Sequence, residues 1–297
     1  MKNCLVTGGC GFIGNIVAEK LKLNGYNVYI IDDLSNSSVE NPNGELFKCD
    51  IRDYESLNKV FEKIPNLDAI FHLAALARVQ PSIEDPILFN NTNVNGTLNL
   101  LEVAKKYKVK KFIFSSSSSV YGNNTYADEN DLNVLNPMSP YALQKLIGEQ
   151  YCKLFSELYD IDCYCLRYFN VYGETMPLRG QYRIALAIFK EKFLNSEKLP
   201  ITNDGEQTRD FVYVGDVAEA NILCLNLTSR FEIFNVGTGV SHSINQIVKQ
   251  INVEYEYIGE VIEPKNTLSN SDKLKKTLDW KPKGELNTFI QKYFCKI

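Results

Sequence analysis

Short, apolar, β-rich runs alternate with helical patterns through the first half of the chain. Between these runs, apolar residues recur every three or four positions, as on the buried face of an amphipathic helix. This alternation is typical of stacked βαβ units, and runs that are mostly apolar are typical of strands covered on both faces. We therefore predict an α/β fold with a Rossmann-type, doubly wound parallel sheet. The predicted strands are residues 3–7, 27–32, 45–49, 69–73, 111–115 and 162–166.

Composition argues against several other classes of protein. The 297 residues carry 32 Lys and Arg against 36 Asp and Glu, a net charge of −4, so we expect no nucleic-acid partner. No apolar run approaches the ~18 residues of a membrane span, and a strand-like segment begins at residue 2, where a signal peptide would lie. We therefore expect no membrane partner and a cytoplasmic location. Eight cysteines without a CxxC pair, and only two histidines, favour buried reduced thiols over disulfides or a metal site.

Three glycines follow the first predicted strand. Gly8, Gly11 and Gly14 form a GxxGxxG turn that opens a helical pattern, where backbone N–H groups and the helix N-terminus can bind a pyrophosphate. Asp32 ends the second predicted strand, where a carboxylate can accept hydrogen bonds from a ribose diol and would repel the 2′-phosphate of NADP. NAD is therefore the predicted cofactor. The alternative is that Asp32 is only a solvated carboxylate at a strand end.

A second lobe is predicted beyond Phe169. Loop-like segments at 173–180 and 202–208 separate shorter elements there, whereas a helical pattern at 216–225 and a strand-like run at 231–236 resemble further parts of the sheet. We therefore expect a NAD-binding domain of residues 1–169 with 214–240, and a smaller α/β substrate-binding lobe of residues 170–213 and 241–297.

Tyr141 and Lys145 are candidates for proton chemistry. They lie four residues apart, so they share one face of a helix that begins after Ser139. A nearby ammonium and a positive nicotinamide ring both favour the ionised form of a phenol, which would make Tyr141 a usable proton acceptor. Taken alone, such a pair more often means a lysine snorkelling beside a partly buried ring. The serines at 115–119 follow the fifth strand, at the edge where ligands of such folds bind, although serine runs also form ordinary turns and caps.

Together, these patterns resemble the extended short-chain dehydrogenase/reductases and, within them, the UDP-hexose 4-epimerases. The resemblance extends over nearly the whole chain. The segments that carry it are residues 7–14, 31–35, 49–52, 72–75, 93–97, 115–122, 140–145, 166–173 and 207–214.

The resemblance implies a role for each matching residue. Tyr141 would be the catalytic base, Lys145 the anchor of the nicotinamide ribose, and Ser117 the catalytic hydroxyl that hydrogen-bonds O4 of the sugar. The implied NAD-binding residues are Gly8, Gly11, Phe12, Ile13, Gly14, Asp32, Asp33, Asp50, Ile51, Leu73, Ala74, Ala75, Asn93, Tyr141, Lys145 and Tyr168. The implied substrate-binding residues are Ser117, Ser118, Asn170, Gln181, Arg209 and Thr267.

Three of these assignments have simpler structural alternatives. Asp50 could cap a helix over 53–64 rather than cover the adenine, and Asn170 could cap a strand end rather than hold the diphosphate. Arg209 could pair with Asp210 or with another surface carboxylate.

The resemblance also narrows the reaction and the assembly. Family members that eliminate water or carbon dioxide carry Asp-Glu or Ser-Glu after the catalytic serine or threonine, whereas this chain has Ser118 and Ser119. We therefore expect 4-epimerisation of a UDP-hexose through transient oxidation at C4, with the cofactor remaining bound. Family members often dimerise through two helices per subunit, so we expect a homodimer with 95–107 and 141–159 at the interface.

The substrate and its nucleotide are also constrained by the resemblance. Thr267 aligns with a gate position that is commonly tyrosine in strict glucose/galactose epimerases, so its small side chain predicts that UDP-GlcNAc and UDP-GalNAc are accepted alongside UDP-Glc and UDP-Gal. An arginine that usually contacts UDP seven residues earlier is replaced by Glu260. Two alternatives stay open: a 4-keto-sugar reductase or other sugar-nucleotide epimerase of the same fold, and a non-catalytic NAD-binding protein.

Overall fold

The computed structural model describes residues 2–37, 39, 42–124, 126–178, 183–261 and 263–295. The strands are β1 (Asn3–Thr7), β2 (Asn27–Asp32), β3 (Glu45–Lys48), β4 (Leu67–His72), β5 (Lys111–Ser117), β6 (Asp162–Tyr168), β7 (Asn170–Tyr172), β8 (Leu199–Ile201), β9 (Thr208–Tyr213), β10 (Phe231–Val236), β11 (Ser241–Ser243) and β12 (Tyr255–Tyr257). The helices are α1 (Phe12–Leu23), α2 (Tyr54–Phe61), α3 (Val79–Glu84), α4 (Pro86–Asn90), α5 (Gly96–Lys106), α6 (Pro140–Leu158), α7 (Ala185–Leu194), α8 (Val214–Leu223), α9 (Ile244–Ile251), α10 (Asp272–Leu278) and α11 (Leu286–Tyr293).

Seven parallel strands of the described chain form the central sheet, in the order β10-β6-β5-β4-β1-β2-β3. Helices α1 and α8 cover one face of this sheet, and α2, α5 and α6 cover the other, which is why every residue of β1 is buried. The predicted Rossmann-type, doubly wound sheet is confirmed. Because the strand order reverses beside β1, the carboxyl ends of β1 and β4 border the crevice in which such folds bind ligands.

Several elements differ in length from their predictions. β5 and β6 each continue two residues further and pair as far as Ser117 and Tyr168. Polar residues follow the predicted ends of both strands, yet they remain in the strand pairing. Ser116 and Arg167 can be buried there because both bind the buried carboxylate of Glu149. β4 begins two residues earlier than predicted and ends at His72. The helix predicted over 53–64 is shorter, and α8 begins two residues before its prediction.

The remaining elements build smaller layers beside the sheet. Strands β11, β9 and β7 form a three-stranded sheet, β12 pairs with β8, and α7, α9 and α11 pack with these strands around their own apolar core. Part of the predicted 241–297 segment of the lobe lies elsewhere, since Leu274 of α10 and Trp280 pack with the core under α1 and α8. Trp280 Nε1 donates to the Asp216 carbonyl at 2.9 Å, which fastens this segment to the sheet side.

Two further observations concern the chain as a whole. Among the described helices, none combines the length and the apolar character needed to cross a lipid bilayer. The described cysteines form no disulfide, and all are buried except Cys295.

Candidate active site

The glycine loop joins β1 to α1 with very little space around it. Gly8 has a positive φ of 68°, and a Cβ there would lie 2.7 Å from the Ala74 nitrogen. A Cβ on Gly14 would lie 2.1 Å from the Gly8 oxygen. Glycine is therefore required for the loop to pass this close to the end of β4 and to its own helix. Gly11 is the N-cap residue of α1, so the N–H groups of the first helical turn are available to an anion.

Asp32 is tied to the glycine loop. Its carboxylate accepts the Cys10 N–H at 2.9 Å and the Leu34 N–H at 2.8 Å, and the residue is 8% exposed. Burial raises the pKa of Asp32, and the two backbone hydrogen bonds partly offset that effect. The side chain is therefore an oriented acceptor at the end of β2 rather than a solvated carboxylate.

A cavity opens beside these two features. It brings together nine of the predicted NAD-binding residues, which come from four separate loops: Gly8, Gly11, Asp32, Asp33, Asp50, Ile51, Leu73, Ala74 and Ala75. Sequence analysis did not assign six further residues that line the same cavity: Ile31, Ser35, Asn36, Cys49, Leu76 and Thr92. The oriented carboxylate, the close-packed glycine loop and this cavity together fit a dinucleotide.

The other predicted NAD-binding residues lie off this wall. Phe12 and Ile13 are partly buried and pack against the apolar core under α1. Tyr168 is buried, with its hydroxyl 3.0 Å from Ser115 Oγ and bonded to the Asn221 amide. Burial raises the pKa of Tyr168 strongly, so its phenol is a neutral structural group.

Asn93 holds in place the loop after β4, which lines the cavity. It lies in a π-helical segment, Asn91–Asn95, which joins α4 to α5. Its side chain accepts the Leu76 N–H at 2.9 Å, donates to the Leu76 carbonyl at 2.9 Å, and donates to Gln144 of α6 at 3.0 Å. The residue therefore fixes the loop after β4 relative to the helix that carries Tyr141 and Lys145.

The alternative that Asp50 caps a helix is wrong. Asp53 is the N-cap of α2 and accepts the Ser56 N–H at 3.0 Å, whereas Asp50 binds the backbone and guanidinium of Arg52. The Arg52 side chain lowers the pKa of Asp50, which therefore remains ionised at the cavity rim.

Tyr141 and Lys145 lie where the helix pattern predicts. Ser139 caps α6 by accepting the Ala142 N–H at 3.1 Å. Lys145 Nζ donates to the Ser115 carbonyl at 2.8 Å and lies 5.9 Å from the Tyr141 ring centroid. Burial lowers the pKa of Lys145 to about 8.

A charged group that sequence analysis missed also acts on Tyr141. Burial raises the pKa of the Tyr141 phenol, and the Ser117 hydroxyl and the Arg78 guanidinium lower it in part. Arg78 is therefore a second cation, besides Lys145, that favours the ionised form of this phenol. Its position depends on a loop conformation that no motif marks: a φ of 95° immediately before α3.

Ser117 ends β5 beside this group. Its Oγ accepts the Ser119 N–H at 3.2 Å, so its own hydrogen can be donated either to the Tyr141 phenol or to a ligand. Ser118 is partly exposed in the turn that follows. Ser119 Oγ is buried and makes no hydrogen bond within the described part of the chain, so it is a further polar group at this strand end.

A buried ionic network lies behind the serines. Arg167 of β6 donates to Glu149 of α6 through Nε at 2.9 Å and through a terminal nitrogen at 2.7 Å. The same carboxylate accepts the Ser116 hydroxyl, and Arg167 also donates to the Tyr121 hydroxyl at 2.7 Å. The network joins the end of β5 to the middle of α6, two elements that carry predicted catalytic residues.

The structure brings three predicted substrate residues together. The Asn170 amide donates to the Asp210 carbonyl at 3.0 Å and lies 3.4 Å from Thr267 Oγ1. Arg209, which precedes Asp210 on β9, donates to Glu263 at 2.6 Å. Gln181 lies outside the described residues.

Of the two kinds of partner suggested for Arg209, Asp210 is wrong and another carboxylate is found. Asp210 accepts hydrogen bonds from Thr238 and Ser269, whereas Arg209 pairs with Glu263, whose side chain is 28% exposed. Asn170 is the first residue of β7, and its amide joins β7 to β9 and to the segment that carries Thr267.

The fold and the cavity define the class: a Rossmann-type dinucleotide-binding protein. Residues 4–237 match the NAD dependent epimerase/dehydratase family, so the chain belongs to that family and NAD is its cofactor. A putative UDP-glucose 4-epimerase of Methanocaldococcus jannaschii is 40% identical, with 97% of this chain and 96% of the relative covered.

Solved structures of UDP-sugar epimerases share the whole architecture. The UDP-glucose 4-epimerase of Thermotoga maritima with UDP-glucose is 37% identical, covers 98% of this chain and 97% of its own, and superposes with a TM-score of 0.92. The UDP-N-acetylglucosamine 4-epimerase of Methanobrevibacter ruminantium M1 in complex with UDP-N-acetylmuramic acid is 36% identical, covers 99% and 96%, and has a TM-score of 0.89. The predicted resemblance to the epimerase family is therefore confirmed.

Proposed function

We propose that this chain is a NAD-dependent UDP-hexose 4-epimerase in which Tyr141 is the catalytic base. The carrying observation is geometric: Lys145 Nζ binds the Ser115 carbonyl at 2.8 Å, two residues before the end of β5 at Ser117, and lies 5.9 Å from the Tyr141 ring centroid. Lys145 lies one helical turn further along α6. These groups lie on the same sheet edge as the dinucleotide cavity, so proton and hydride transfer can occur at one sugar carbon.

Each of these residues has a distinct task in the proposal. Bound NAD supplies the hydride acceptor and, in the return direction, the hydride donor. Ser117 orients the 4-hydroxyl of the sugar through the hydrogen that its bond to Ser119 leaves available. Tyr141 takes the 4-hydroxyl proton as the C4 hydrogen leaves, and returns it after the 4-keto sugar has turned its other face.

The pKa of the Tyr141 phenol must be lowered if it is to act as a base near neutral pH. A phenol ordinarily titrates near pH 10, and burial raises the pKa of Tyr141 further. Arg78 and Ser117 act in the opposite direction, which is the one that a base working near neutral pH requires. Lys145, fixed on the Ser115 carbonyl, is placed to hold the nicotinamide ribose.

Asp32 supports NAD in preference to NADP. Its carboxylate is already oriented by Cys10 and Leu34, so its remaining lone pairs face the cavity. A 2′-phosphate at this position would meet a partly desolvated negative charge, whereas a ribose diol would donate hydrogen bonds to it.

We assign Asn170, Arg209 and Thr267 to the nucleotide-sugar, with Ser118 and Gln181 completing the predicted substrate set. Glu263 orients Arg209, and the same carboxylate accepts three further hydrogen bonds, from Thr202, Asn203 and Gln207. Such an anchored guanidinium fits a diphosphate, in place of the arginine absent at Glu260. Relatives that act on UDP-glucose and UDP-N-acetylglucosamine support both sugar types as substrates.

The proposal includes a homodimer. Three leucines of α6, at 143, 154 and 158, are 44 to 62% exposed, which favours a homodimer that buries this helix face.

The proposal also assigns substrate binding to the elements of 170–213 and 241–297, with α10 on the sheet side.

The decisive experiment uses purified protein without added cofactor. It is incubated separately with UDP-Glc, UDP-Gal, UDP-GlcNAc and UDP-GalNAc, and the products are resolved by chromatography. We expect conversion within each pair of C4 epimers, because the retained cofactor is regenerated in every turnover. A 4-keto-sugar reductase would instead require added reduced cofactor, and a non-catalytic NAD-binding protein would convert none of the four under either condition.

A further inference from the structure

Asp210 is a buried carboxylate that forms no ion pair within the described residues. It lies in β9 and is 0% exposed, and the neighbouring Arg209 pairs with Glu263 instead. Burying a charge without a partner of opposite sign is costly unless hydrogen bonds replace its hydration. The hydrogen-bond donors around Asp210 therefore show which parts of the chain its carboxylate holds.

Five hydrogen bonds reach this carboxylate from two other segments. On one side it accepts the Thr238 N–H at 2.9 Å, the Thr238 hydroxyl at 2.7 Å and the Gly239 N–H at 2.9 Å. On the other side it accepts the Ser269 N–H at 3.0 Å and the Ser269 hydroxyl at 2.6 Å. The carboxylate thus joins the loop that follows β10 to the segment 267–271.

The segment 267–271 lies outside the helices and strands, so its position depends on side-chain contacts. Ser271 donates to the Gly237 carbonyl at 2.9 Å. A Cβ on Gly237 would lie 2.5 Å from Ser269 Oγ, which shows how closely the segment approaches the loop after β10. Because β10 is a strand of the central sheet, these contacts position the segment relative to that sheet.

The backbone of Asp210 contacts two of the proposed substrate residues. Its N–H donates to Thr267 Oγ1 at 3.3 Å, and its carbonyl accepts the Asn170 amide at 3.0 Å. Thr267 is only two residues from Ser269, which the Asp210 carboxylate holds through both its N–H and its hydroxyl. The side chain of Asp210 therefore restricts where Thr267 can lie.

We propose that Asp210 is the positioning residue of the sugar gate: its carboxylate holds Thr267 in a fixed place relative to the sheet. This inference rests on the proposed function, which places the sugar beside Thr267. An asparagine would present one acceptor oxygen and an NH₂ group to a ring of five donors, so a carboxylate is required. Asp210 itself does not touch the sugar, and acts through Ser269 and Thr267.

The test compares Asp210→Asn with Asp216→Asn, the same change at a second buried aspartate. Asp216 accepts the N–H groups of Lys283 and Gly284 at 2.9 and 2.8 Å, so it holds a different segment. For Asp210→Asn we expect the KM of UDP-hexoses to rise about tenfold and kcat to stay within about threefold, because hydrogen bonds that hold the gate are lost. Asp216→Asn should lower the urea midpoint and leave KM unchanged. Equal KM values in the two variants would overturn the proposal.

A milder pair of variants decides the matter if Asp210→Asn does not fold. Ser269→Ala removes one of the five hydrogen bonds and should raise the KM of UDP-hexoses about two- to fivefold. Ser243→Ala removes another buried hydroxyl, which caps α9 by accepting the Gln246 N–H at 3.1 Å, and should leave KM unchanged. An unchanged KM in Ser269→Ala would then mean that the bonds only stabilise the fold, and would overturn the proposal.

Binding measurements distinguish this inference from the proposed function. Dissociation constants of UDP-Glc, UDP-GlcNAc and UDP are determined by calorimetry on NAD-loaded wild type and Asp210→Asn, or on Ser269→Ala if Asp210→Asn does not fold. The affinity for both UDP-hexoses should fall, whereas that for UDP, which lacks the sugar, should be retained. If no UDP-hexose is epimerised, the proposed function fails, while a selective loss of affinity for UDP-hexoses still supports positioning by Asp210. If epimerisation proceeds and UDP is affected as much as the UDP-hexoses, the inference alone fails.

Discussion

The Arg167 guanidinium and the Glu149 carboxylate form a two-point ion pair in which the side chains are 1% and 0% exposed. Removing one partner from a pair this deep leaves an uncompensated buried charge. The pair also holds Ser116, immediately before the proposed catalytic Ser117, so its geometry supports the end of β5.

We therefore expect Arg167→Met to lower the free energy of unfolding by about 3–5 kcal/mol, as measured by urea denaturation. Lys110→Met breaks an exposed ion pair with Asp160 and should cost less than about 1 kcal/mol. The double variant Arg167→Met/Glu149→Leu should be less destabilised than the sum of the single changes. A loss below 1 kcal/mol for Arg167→Met alone would show that the pair is not structurally important.

Tyr141→Phe removes the proposed proton acceptor and retains the ring. We expect kcat on UDP-hexoses to fall by about 10²- to 10⁴-fold, because general base catalysis is lost while packing is kept. NAD retention, measured by absorbance after denaturation, should be unchanged. Tyr257→Phe alters an exposed tyrosine and should leave kcat at the wild-type value. Wild-type turnover in Tyr141→Phe would refute the assignment of the base.

His72 predicts a pH dependence of stability. The Thr97 hydroxyl donates to the Asn93 carbonyl, so His72 Nε2 must donate to Thr97, and Nδ1 accepts from Thr7 at 2.8 Å. Burial lowers the pKa of His72 from 6.5 to about 3. Below pH 6.5, His72 therefore binds a proton in the unfolded chain but stays neutral in the folded chain. Stability supplied by neutral His72 is complete above pH 6.5 and is lost as the pH falls towards 3.

The measured slope should reach roughly 1.4 kcal/mol per pH unit inside that window from this residue. Denaturation curves between pH 4 and 7, compared with those of His72→Gln, isolate the contribution. An identical slope in both proteins would mean that another group is responsible.

Thr267→Tyr tests the sugar gate. Thr267 Oγ1 lies 3.3 Å from the Asp210 nitrogen and 3.4 Å from the Asn170 amide, so a larger side chain here would intrude beside proposed substrate residues. We expect kcat/KM for UDP-GlcNAc to fall at least tenfold relative to that for UDP-Glc, since an acetamido group needs the space that threonine leaves. Thr267→Ser should preserve the ratio. Parallel losses on both sugars would argue against a gate.

Leu154→Glu tests the homodimer. The residue is 44% exposed on the same helix face as Leu143 and Leu158, and a charge buried in an apolar interface would oppose association. Sedimentation should show a dimer for the wild type and a monomer for the variant. Leu194→Glu, on α7, places the same charge at a leucine that is 59% exposed and should leave the dimer intact. A monomeric wild-type protein would contradict the proposed homodimer.

Local patterns were sufficient for features whose partners are close in sequence. The glycine loop, the Ser139 cap and the four-residue spacing of Tyr141 and Lys145 follow from steric and helical rules that act within a few residues. The parallel sheet could also be predicted, because mostly apolar strands are buried on both faces when the amphipathic helices between them cover the sheet. The strand ends could not be predicted where polar residues are buried. β5 and β6 continue past their predicted ends because Ser116 and Arg167 bind the buried carboxylate of Glu149 on α6.

The fold class, the family resemblance and the set of groups that could bind a dinucleotide follow from sequence patterns alone. The pairing of distant residues depends on the folded chain: Arg209 with Glu263 across 54 positions, Asn170 near Thr267 across 97, and Lys145 with Ser115 across 30. Backbone hydrogen bonding and helical periodicity are local and can be read along the chain. Side-chain partners across the fold depend on the register of packed elements and on loop dihedrals such as that of Arg78, which no local pattern encodes.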